Sequence, residues 1–488
     1  MPTQTAGSSA PGGAVQRLDP KKDIPFDWWT LFQSPQINSL IERAFNANPS
    51  IESAQAALRQ AEEYIAAQQG FFYPTVGVSY SPSRNKLAGN MGGNSPGVQQ
   101  NGKVIQAGST TGAPPVVPAY YNFHTAQLTV GYVPDVFGAN RRQVESLQAQ
   151  REAQRFQLEA AYITLAANVV AAALQEASLR AQIEAAEKIV ATNRENLAIL
   201  QKQERLGFVS ALDVAAQQAA LAQSEQALIP LRKQLELTRD LIRALAGNLP
   251  NEDVPEKFEL ASLHLPEELP LSLPSKLVKQ RPDVRMAEEQ LHAASAEYGV
   301  AIANTYPQFS ITAAAGGMAD APGWMFKSGG TFFNLTADAA YTIFAGGTLR
   351  AKSRAAQQAL VQAGAQYRST VITALQNVAD TLHTIQSDAD MLKAAAETAQ
   401  AMELTRDIAR KRYEAGDISY QMLLLAEQNY QQSVVTLIQA QTNRLGDTAA
   451  LYQALGGGWW NRTEKSAHAP EEARNTGVPE QRKNPRNE

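Results

Sequence analysis

The sequence predicts a mainly α-helical protein that is built from a duplicated unit and carries four β-strands suited to a membrane β-barrel. Three observations support this class. The chain resembles itself after a shift of 233 residues, two long stretches have the apolar spacing of a coiled coil, and four short segments alternate between apolar and small polar residues. With 488 residues, the chain is long enough for two or three domains.

Composition argues against several classes of protein. The net charge of −4 and the isoelectric point near 5.9 argue against a nucleic-acid binder. The absence of cysteine excludes a disulfide framework, a thiolate nucleophile and a cysteine-based metal site. The sequence contains no run of 18 apolar residues, so no membrane-spanning helix is predicted. The opening "MPTQTAGSSAPGGAVQ" does not have the pattern of a signal peptide. Taken alone, these features indicate a soluble cytosolic protein, but the patterns below indicate otherwise.

The repeat has the same order in both halves. At a shift of 233 residues Pro49 meets Pro282, and Tyr73-Pro74 meets Tyr306-Pro307 without a gap. Further on, "RLGFVSALDV" faces "EAGDISYQML", and "ALAG" faces "ALGG". Each half therefore reads as helix, strand, loop, strand, very long helix, tip and helix. Two separate homologous domains would repeat in this way too, but neither half has enough strands for a sheet of its own, which favours one intertwined architecture.

The first long stretch runs from Ala139 to about Arg205 without a proline. A spacing of alternately four and three residues fits thirteen positions over six heptads, and eleven of them are apolar. These positions are Leu158, Tyr162, Leu165, Val169, Ala172, Glu176, Leu179, Ile183, Ala186, Val190, Asn193, Leu197 and Leu200. A continuous helix here would be about 100 Å long.

The second half repeats this apolar seam, and each long helix is followed by a return helix. The repeated positions are Val371, Leu375, Val378, Leu382, Ile385, Ala389, Leu392, Ala396 and Ala399. The return helices are expected from about Ala211 to Ala246, with a kink at Pro230, and from about Tyr420 to Leu455. An extended two-stranded coiled coil is one interpretation. Alanine- and glutamine-rich stretches such as "AAQQAALAQSEQAL" let helices approach on several faces, which favours a wall or barrel of helices.

Four segments of about ten residues place apolar side chains on one face and small polar ones on the other. The apolar positions are Val76, Val78 and Tyr80; Ala126, Leu128, Val130 and Tyr132; Phe309, Ile311 and Ala313; and Phe333, Leu335, Ala337, Ala339, Tyr341 and Ile343. This alternation is typical of transmembrane strands between lipid and a lumen, although a sandwich strand alternates in the same way. Four strands cannot close a barrel, whereas three copies would supply twelve. Aromatic residues near the strand ends, Tyr120, Tyr121, Trp324 and Phe326, suit the aromatic belts of a membrane.

Two stretches resemble a known family. "DWWTLFQSPQINSLIERAFNANPSIESAQAALRQAE" is similar to the opening of the outer-membrane efflux factors, the NodT-type lipoproteins of the TolC family, and "RPDVRMAEEQLHAASAEYGVAIANTYPQFSIT" is similar to their second-half signature. The match runs from about Trp28 to Trp459. The resemblance implies a homotrimer with a twelve-stranded barrel in the outer membrane and an α-helical tunnel in the periplasm. It also implies a mixed equatorial domain around the middle of the tunnel.

The same resemblance implies the outer-membrane channel of a tripartite efflux system linked to antibiotic resistance. Such a channel is a passive conduit that exports drugs or other small molecules. Its partners would be a periplasmic membrane-fusion adaptor and an inner-membrane pump of the RND type. A periplasmic coiled-coil structural or adaptor protein is the alternative. Members of the family begin with a signal peptide and a lipobox cysteine, and this sequence has neither, so lipidation is an expectation from the resemblance alone.

The predicted domains follow the repeat. They are an N-terminal linker (1–25), a first repeat (26–247) with a β-hairpin (71–137) and a helical hairpin (139–247), an equatorial inter-repeat segment (248–275), a second repeat (276–458) with a β-hairpin (307–345) and a helical hairpin (347–456), and a disordered C-terminal tail (459–488).

The turns between the long and return helices are the candidate adaptor-docking tips. Their predicted docking residues are Arg205, Leu206, Gly207, Ser210, Gly416 and Ser419. The two glycines suit tight turns and the two serines suit helix N-caps, and ordinary capped turns would explain all four.

A periplasmic gate near these tips follows from the resemblance. Tyr413 matches a family tyrosine that links to an acid on a neighbouring coil, Asp213 matches that acid, and Arg412 matches a neighbouring basic residue. Leu425 stands where relatives carry an aspartate, which predicts an apolar ring that gates by dewetting. The nearby Glu427 is expected on another helix face.

An enzyme is not expected. The five histidines, His124, His264, His292, His383 and His468, have no ligand spacing, and the sequence contains neither a phosphate-binding loop nor a nucleophile–base pattern. No cofactor or metal is therefore predicted.

Overall fold

The computed structural model describes residues 4–86, 98–100, 103–105, 120–271 and 274–462. Eight α-helices and eight β-strands follow one another within these ranges. They are β1 (Arg17–Asp19), α1 (Pro35–Ala47), α2 (Pro49–Gln69), β2 (Thr75–Lys86), β3 (Val98–Gln100), β4 (Lys103–Ile105), β5 (Tyr120–Tyr132), α3 (Ala139–Arg205), α4 (Ala211–Leu245), β6 (Glu268–Pro270), α5 (Pro274–Gln280), α6 (Pro282–Ala303), β7 (Gln308–Ala319), β8 (Thr331–Ala340), α7 (Thr348–Glu414) and α8 (Tyr420–Ala454).

The helical hairpins confirm the duplication. The long helices α3 and α7 have 67 residues each, and the return helices α4 and α8 have 35 residues each. All thirteen predicted seam positions of α3 and all nine of α7 are buried or half-buried. Helix α4 continues through Pro230, so the kink expected there stays a prediction.

The four predicted strands form one antiparallel sheet in the order β2-β5-β7-β8. The central pair, β5 with β7, joins the two halves of the chain, which confirms the intertwined architecture. The register aligns Val76 with Val130, Val130 with Ala313, and Ala313 with Leu335, so the apolar positions share one face of the sheet. Strand β8 ends at Ala340, before the predicted positions Tyr341 and Ile343.

Three features of the described chain differ from the sequence-based expectation. Strand β1 pairs in parallel with β6, and β3 pairs with β4. Residues 4–19, assigned to a linker by composition, make contacts with α8 that are described below. At the other end, Trp459–Asn461 form a 3₁₀ turn, and the rest of the predicted disordered tail, from residue 463, lies outside the described residues.

The chain divides into two compact units. The first contains Met1–Leu58, Ala153–Ala287 and Tyr367–Glu488, and the second contains Arg59–Glu152 and Glu288–Gln366. The four-stranded sheet belongs to the second unit, and both helical tips belong to the first.

The first unit has the largest apolar core. Trp28 and Phe32 are fully buried there, and the Trp28 ring stacks on Tyr452 of α8 with centroids 5.4 Å apart. One described helix, α3, contains an 18-residue window apolar enough to cross a membrane by length and composition, and 56% of that window is buried inside the protein. A core helix passes the same test, so this window alone does not indicate a spanning helix.

Candidate functional site: the helical tips and the strand wall

The two tips are glycine-containing turns that expose all six predicted docking residues. Gly207 and Gly416 have φ angles of 80° and 75°, a conformation that glycine adopts without strain. Ser210 caps α4 through a capping box, because its hydroxyl oxygen accepts from the Asp213 amide at 3.3 Å and Asp213 Oδ2 accepts from the Ser210 amide at 3.2 Å. Ser419 is the N-cap of α8, but its side chain makes no capping hydrogen bond.

An apolar cluster ties the ends of four helices together. Leu200 of α3 and Leu423 of α8 are buried with Tyr420. Tyr413 of α7 packs against this cluster and meets the Tyr420 ring edge-on at 5.4 Å. Val214 brings α4 into the same cluster. The tips of both hairpins are therefore held together inside a single chain.

The four predicted gate residues lie near this cluster but do not form one contact within the chain. Asp213 belongs to the α4 capping box, and Arg412 Nη2 lies 2.7 Å from Asp417 Oδ2. Burial, and then the charge of Asp213, raise the pKa of the Tyr413 phenol, so Tyr413 and Asp213 are electrostatic neighbours. Leu425 is 58% exposed, whereas Glu427, two residues later, is 4% exposed.

A buried hydrogen-bonded chain crosses the tips and was missed by the sequence analysis. Gln217 of α4 is fully buried. Its Nε2 donates to the Asn193 carbonyl of α3 at 2.8 Å, and its Oε1 accepts from the Tyr420 hydroxyl of α8. Asn193 was visible as a polar exception in the α3 seam, but nothing in the sequence indicated its partners.

A second polar connection lies two turns further along α8. The Glu427 carboxylate accepts from Arg410 of α7 at 3.0 Å and from Asn196 of α3 at 3.4 Å. Burial, and then the neighbouring Glu427 charge, raise the pKa of Tyr420. The polar links between the coils of the two hairpins are thus made by Gln217, Tyr420 and Glu427, alongside the apolar cluster that contains the predicted gate residue Tyr413.

Three exposed apolar side chains lie at the tip of the first hairpin, where docking residues were predicted. Leu206 was predicted there, but Phe208 and Leu212 were not, and they are 77% and 68% exposed. The apolar character of these residues is visible in "RLGFVSALD", so the sequence carried the signal. An apolar tip of this kind suits contact with another protein.

The second candidate site is the strand wall, the four-stranded sheet of β2, β5, β7 and β8. The face opposite the apolar one carries small polar side chains, namely Thr75, Ser79 and Ser81 on β2; Thr125, Gln127 and Thr129 on β5; Gln308, Ser310 and Thr312 on β7; and Asn334, Thr336 and Asp338 on β8. Asn334 Oδ1 accepts from the Ala314 amide at 3.0 Å. Such a surface can be wetted, as the lumen-facing side of a membrane strand is.

Comparison with known proteins identifies the class. Residues 40–248 and 273–457 match the family model of the outer membrane efflux proteins. The chain therefore belongs to the outer membrane efflux protein family.

Relatives and solved structures similar to this chain agree with this family assignment. The chain is 26% identical over 433 residues to the pyoverdine export outer membrane protein OpmQ of Pseudomonas putida, with 88% of each protein covered. It is 26% identical over 477 residues to the cation efflux system protein CusC of Escherichia coli, with 94% of each covered.

The structure of the outer-membrane channel OprN has a TM-score of 0.81 at 25% identity and covers 93% of this chain and 97% of OprN. That of VceC from Vibrio cholerae has a TM-score of 0.77 at 23% identity, covering 89% of this chain and 99% of VceC. The fold is that of the TolC-family channels, as the sequence predicted.

Proposed function

We propose that this outer-membrane efflux channel works as a passive homotrimeric conduit. Three chains would close a twelve-stranded barrel in the membrane, and their long helices would form a tunnel in the periplasm. A periplasmic membrane-fusion adaptor and an inner-membrane RND-type pump would complete the tripartite system. The pump supplies the energy, and the channel supplies the water-filled path.

The sheet carries this proposal. Within the described residues, β2 and β8 each pair with one neighbour only, so both edges of a sheet with one continuous apolar face are open. In lipid, an open sheet of four strands is not stable by itself, because its edge amides and carbonyls have no water to bind and need partners. In water, an exposed edge of this kind is a template for pairing with another chain. Pairing β2 of one chain with β8 of the next satisfies both edges.

The small polar face of the four-stranded sheet suits the export of drugs or other small molecules. The small polar side chains of the sheet offer no shaped pocket, so selectivity would depend on pore radius and wall charge. Relatives are named for pyoverdine, toluene and cation efflux, which supports a coarse rather than a strict selectivity. We also propose that the chain has no enzymatic activity and needs no cofactor, in agreement with its family.

The two repeats predicted from the sequence, at 26–247 and 276–458, and the equatorial segment at 248–275 enter this proposal with the same bounds. The tips would dock the adaptor through the six exposed residues named above. Asp213, Tyr413 and Arg412 would restrain neighbouring coils, and Leu425 would line an apolar constriction. Adaptor binding would separate the coils in an iris-like movement.

Disulfide trapping tests the trimer directly, since the chain contains no cysteine. Ser79→Cys on β2 is combined with Asn334→Cys, Thr336→Cys or Asp338→Cys on β8. Inside one chain, β2 and β8 are separated by three strand spacings, roughly 14 Å, which a disulfide cannot bridge. Cross-linked dimers and trimers are therefore expected only if β2 meets β8 of another chain.

The matched control is Ser79→Cys with Gln127→Cys, which are directly opposite on paired strands and should close within the chain. The particle mass in detergent, corrected for bound detergent, should correspond to three chains of 52.8 kDa. A soluble monomer without cross-linked oligomers at any position would contradict the conduit.

A further inference from the structure

The N-terminal arm, residues Gln4–Asp19, follows α8 closely. Ala10 packs against an apolar cluster that contains Leu392 of α7 and Ala440 of α8. Further along the arm, the buried Gln16 donates from Nε2 to Thr448 Oγ1 of α8 at 3.1 Å. The arm ends in β1, which pairs with β6 of the inter-repeat segment. The arm thus connects the inter-repeat segment to α8.

Arg444 of α8 is the charged residue that holds this arm. Its side chain is 1% exposed, and its Nη2 donates to the Ala14 carbonyl at 2.6 Å and to Thr5 Oγ1 at 3.0 Å. Its Nε and Nη1 are buried without a hydrogen-bond partner among the described residues, and burial lowers the pKa of the guanidinium. Residues 4–16, "QTAGSSAPGGAVQ", contain no ionisable side chain. A buried cation is therefore held by neutral oxygens alone, which is costly.

A buried carboxyl group without a full set of hydrogen-bond partners in the described chain lies one helical turn from Arg444, at Asp447. Asp447 faces Asp388 of α7, and its buried Oδ2 has no hydrogen-bond partner among the described residues. Burial, and then the hydrogen bond and charge of Asp388, raise the pKa of Asp447 to about 7. A hydrogen bond between two carboxyl groups requires that one of them carries a proton. The charged group that acts on Asp447 is Asp388 of α7. Arg444 lies three residues earlier on the same helix, and residues 4–16 of the arm carry no charge.

We propose that the arm is a pH-sensitive strap: when the Asp388–Asp447 pair loses its shared proton, Arg444 leaves the arm oxygens, pairs with Asp447, and releases the arm from α8. Arg444 and Asp447 are three residues apart on one helix, a spacing at which an arginine and a carboxylate reach each other. A single side-chain movement then compensates both the unpaired cation and the two adjacent acids. This regulation lies beyond the conduit function and does not depend on transport.

Electron paramagnetic resonance of a nitroxide on Ser9→Cys tests the strap in the full chain in detergent. Ser9 is an exposed arm residue, and the cysteine-free background ensures that the label reacts there alone. The label should be immobile at pH 5.5, and its mobile fraction should rise several-fold at pH 8.5, with a midpoint near the pKa of about 7. Circular dichroism and particle mass at both pH values verify that the fold and the assembly persist.

Variants separate the strap from general loosening. Asp447→Asn should keep the arm immobile at both pH values, and Asp388→Asn should move the midpoint to lower pH because the neighbouring charge is gone. Arg444→Gln should free the arm at both pH values. Asp390→Asn, at an exposed carboxylate of the same α7 segment, should behave like the wild type. An arm that is equally immobile at pH 5.5 and 8.5, or a pH response that survives Asp447→Asn, would overturn the proposal.

Discussion

Glu176 Oε1 lies 2.9 Å from Nη1 of Arg239, and this ion pair occupies a position of the α3 seam that the heptad pattern reserves for an apolar residue. Glu176 is fully buried, and it also binds Arg180 at 2.6 Å. The Arg239 guanidinium continues to Asp253 at 3.0 Å and to the Val254 carbonyl at 2.8 Å. The polar exception in the seam therefore attaches the inter-repeat segment to α3 and α4.

Removing this buried charge should destabilise the first unit strongly. Glu176→Gln leaves Arg239 and Arg180 without their shared carboxylate, and breaking one side of a buried pair costs about 3–5 kcal/mol. The measurement is the denaturant midpoint of the helical signal in detergent. Glu184→Gln, which breaks an exposed pair with Lys188 on the same helix, is the matched control and should leave the midpoint unchanged. Equal midpoints for the two variants would show that Glu176 is not a structural anchor.

The stability of the chain should depend on pH through Asp447. Its pKa is raised from an ordinary value of 3.8 to about 7 in the folded protein. Between these two values the unfolded chain releases the proton while the folded chain retains it, so the free energy of unfolding falls as pH rises through this window and changes little above it. Asp447→Asn removes the effect. It should raise the unfolding midpoint at pH 8 and leave it nearly unchanged at pH 4, and an equal gain at both pH values would contradict this linkage.

The hydrogen bond from Tyr420 to Gln217 should hold the tips closed. Tyr420→Phe leaves the buried Gln217 oxygen without its donor, which costs about 1–3 kcal/mol and should raise single-channel conductance in a planar bilayer. Tyr430→Phe on the same helix is the control, because its hydroxyl reaches Glu403 only at 3.5 Å. The role assigned to this bond would be wrong if amide exchange at the tips were slower in Tyr420→Phe than in the wild type. It would also be wrong if Tyr420→Phe and Tyr430→Phe had equal conductance.

The parts of this molecule that were predictable are those with a local period. The seam of α3 and the alternation of β2 follow from residues three, four or two apart, and neighbouring residues suffice to reveal them. The contacts that join distant residues leave no such trace. Gln217 and Tyr420 are 203 residues apart, and the arm reaches Arg444 across more than 400. Glu176 was visible as an exception, but its partner Arg239 was not.

Turn chemistry was predictable for the same reason, whereas the gate stays a prediction. Ser210 and Gly207 act within a few residues of chain, where propensity is reliable. Arg412 was assigned to Asp213 by resemblance, yet within one chain Asp417, five residues away, competes for it at 2.7 Å. An acidic residue in the same turn, here Asp417, can bind the Arg412 guanidinium and thereby compete with an acid on a distant coil.

The gate assigned to Asp213 and Tyr413 is testable despite the capping role of Asp213. Asp213→Ala combined with Tyr413→Phe should raise conductance, because the variant removes both the charge and the hydroxyl that are proposed to restrain the coils. Ser210→Ala breaks the same capping box while keeping the carboxylate, and thereby reports helix fraying alone. Unchanged conductance in the double variant, or an equal rise in Ser210→Ala, would sink the gate assignment.

The apolar constriction proposed at Leu425 predicts a change in ion preference when that residue is charged. A narrow ring of leucine side chains disfavours water, so its barrier depends on dewetting rather than on charge. Leu425→Asp places a carboxylate at the same position, where it should wet the constriction, raise conductance and shift the reversal potential in a salt gradient toward cation selectivity. Leu425→Ser should raise conductance without the shift in selectivity, which separates wetting from charge. Leu404→Asp, at an exposed leucine of α7, is the control for added negative charge elsewhere on the helical hairpin. If Leu404→Asp produces the same reversal potential as Leu425→Asp, the constriction lies elsewhere and Leu425 is an ordinary surface residue.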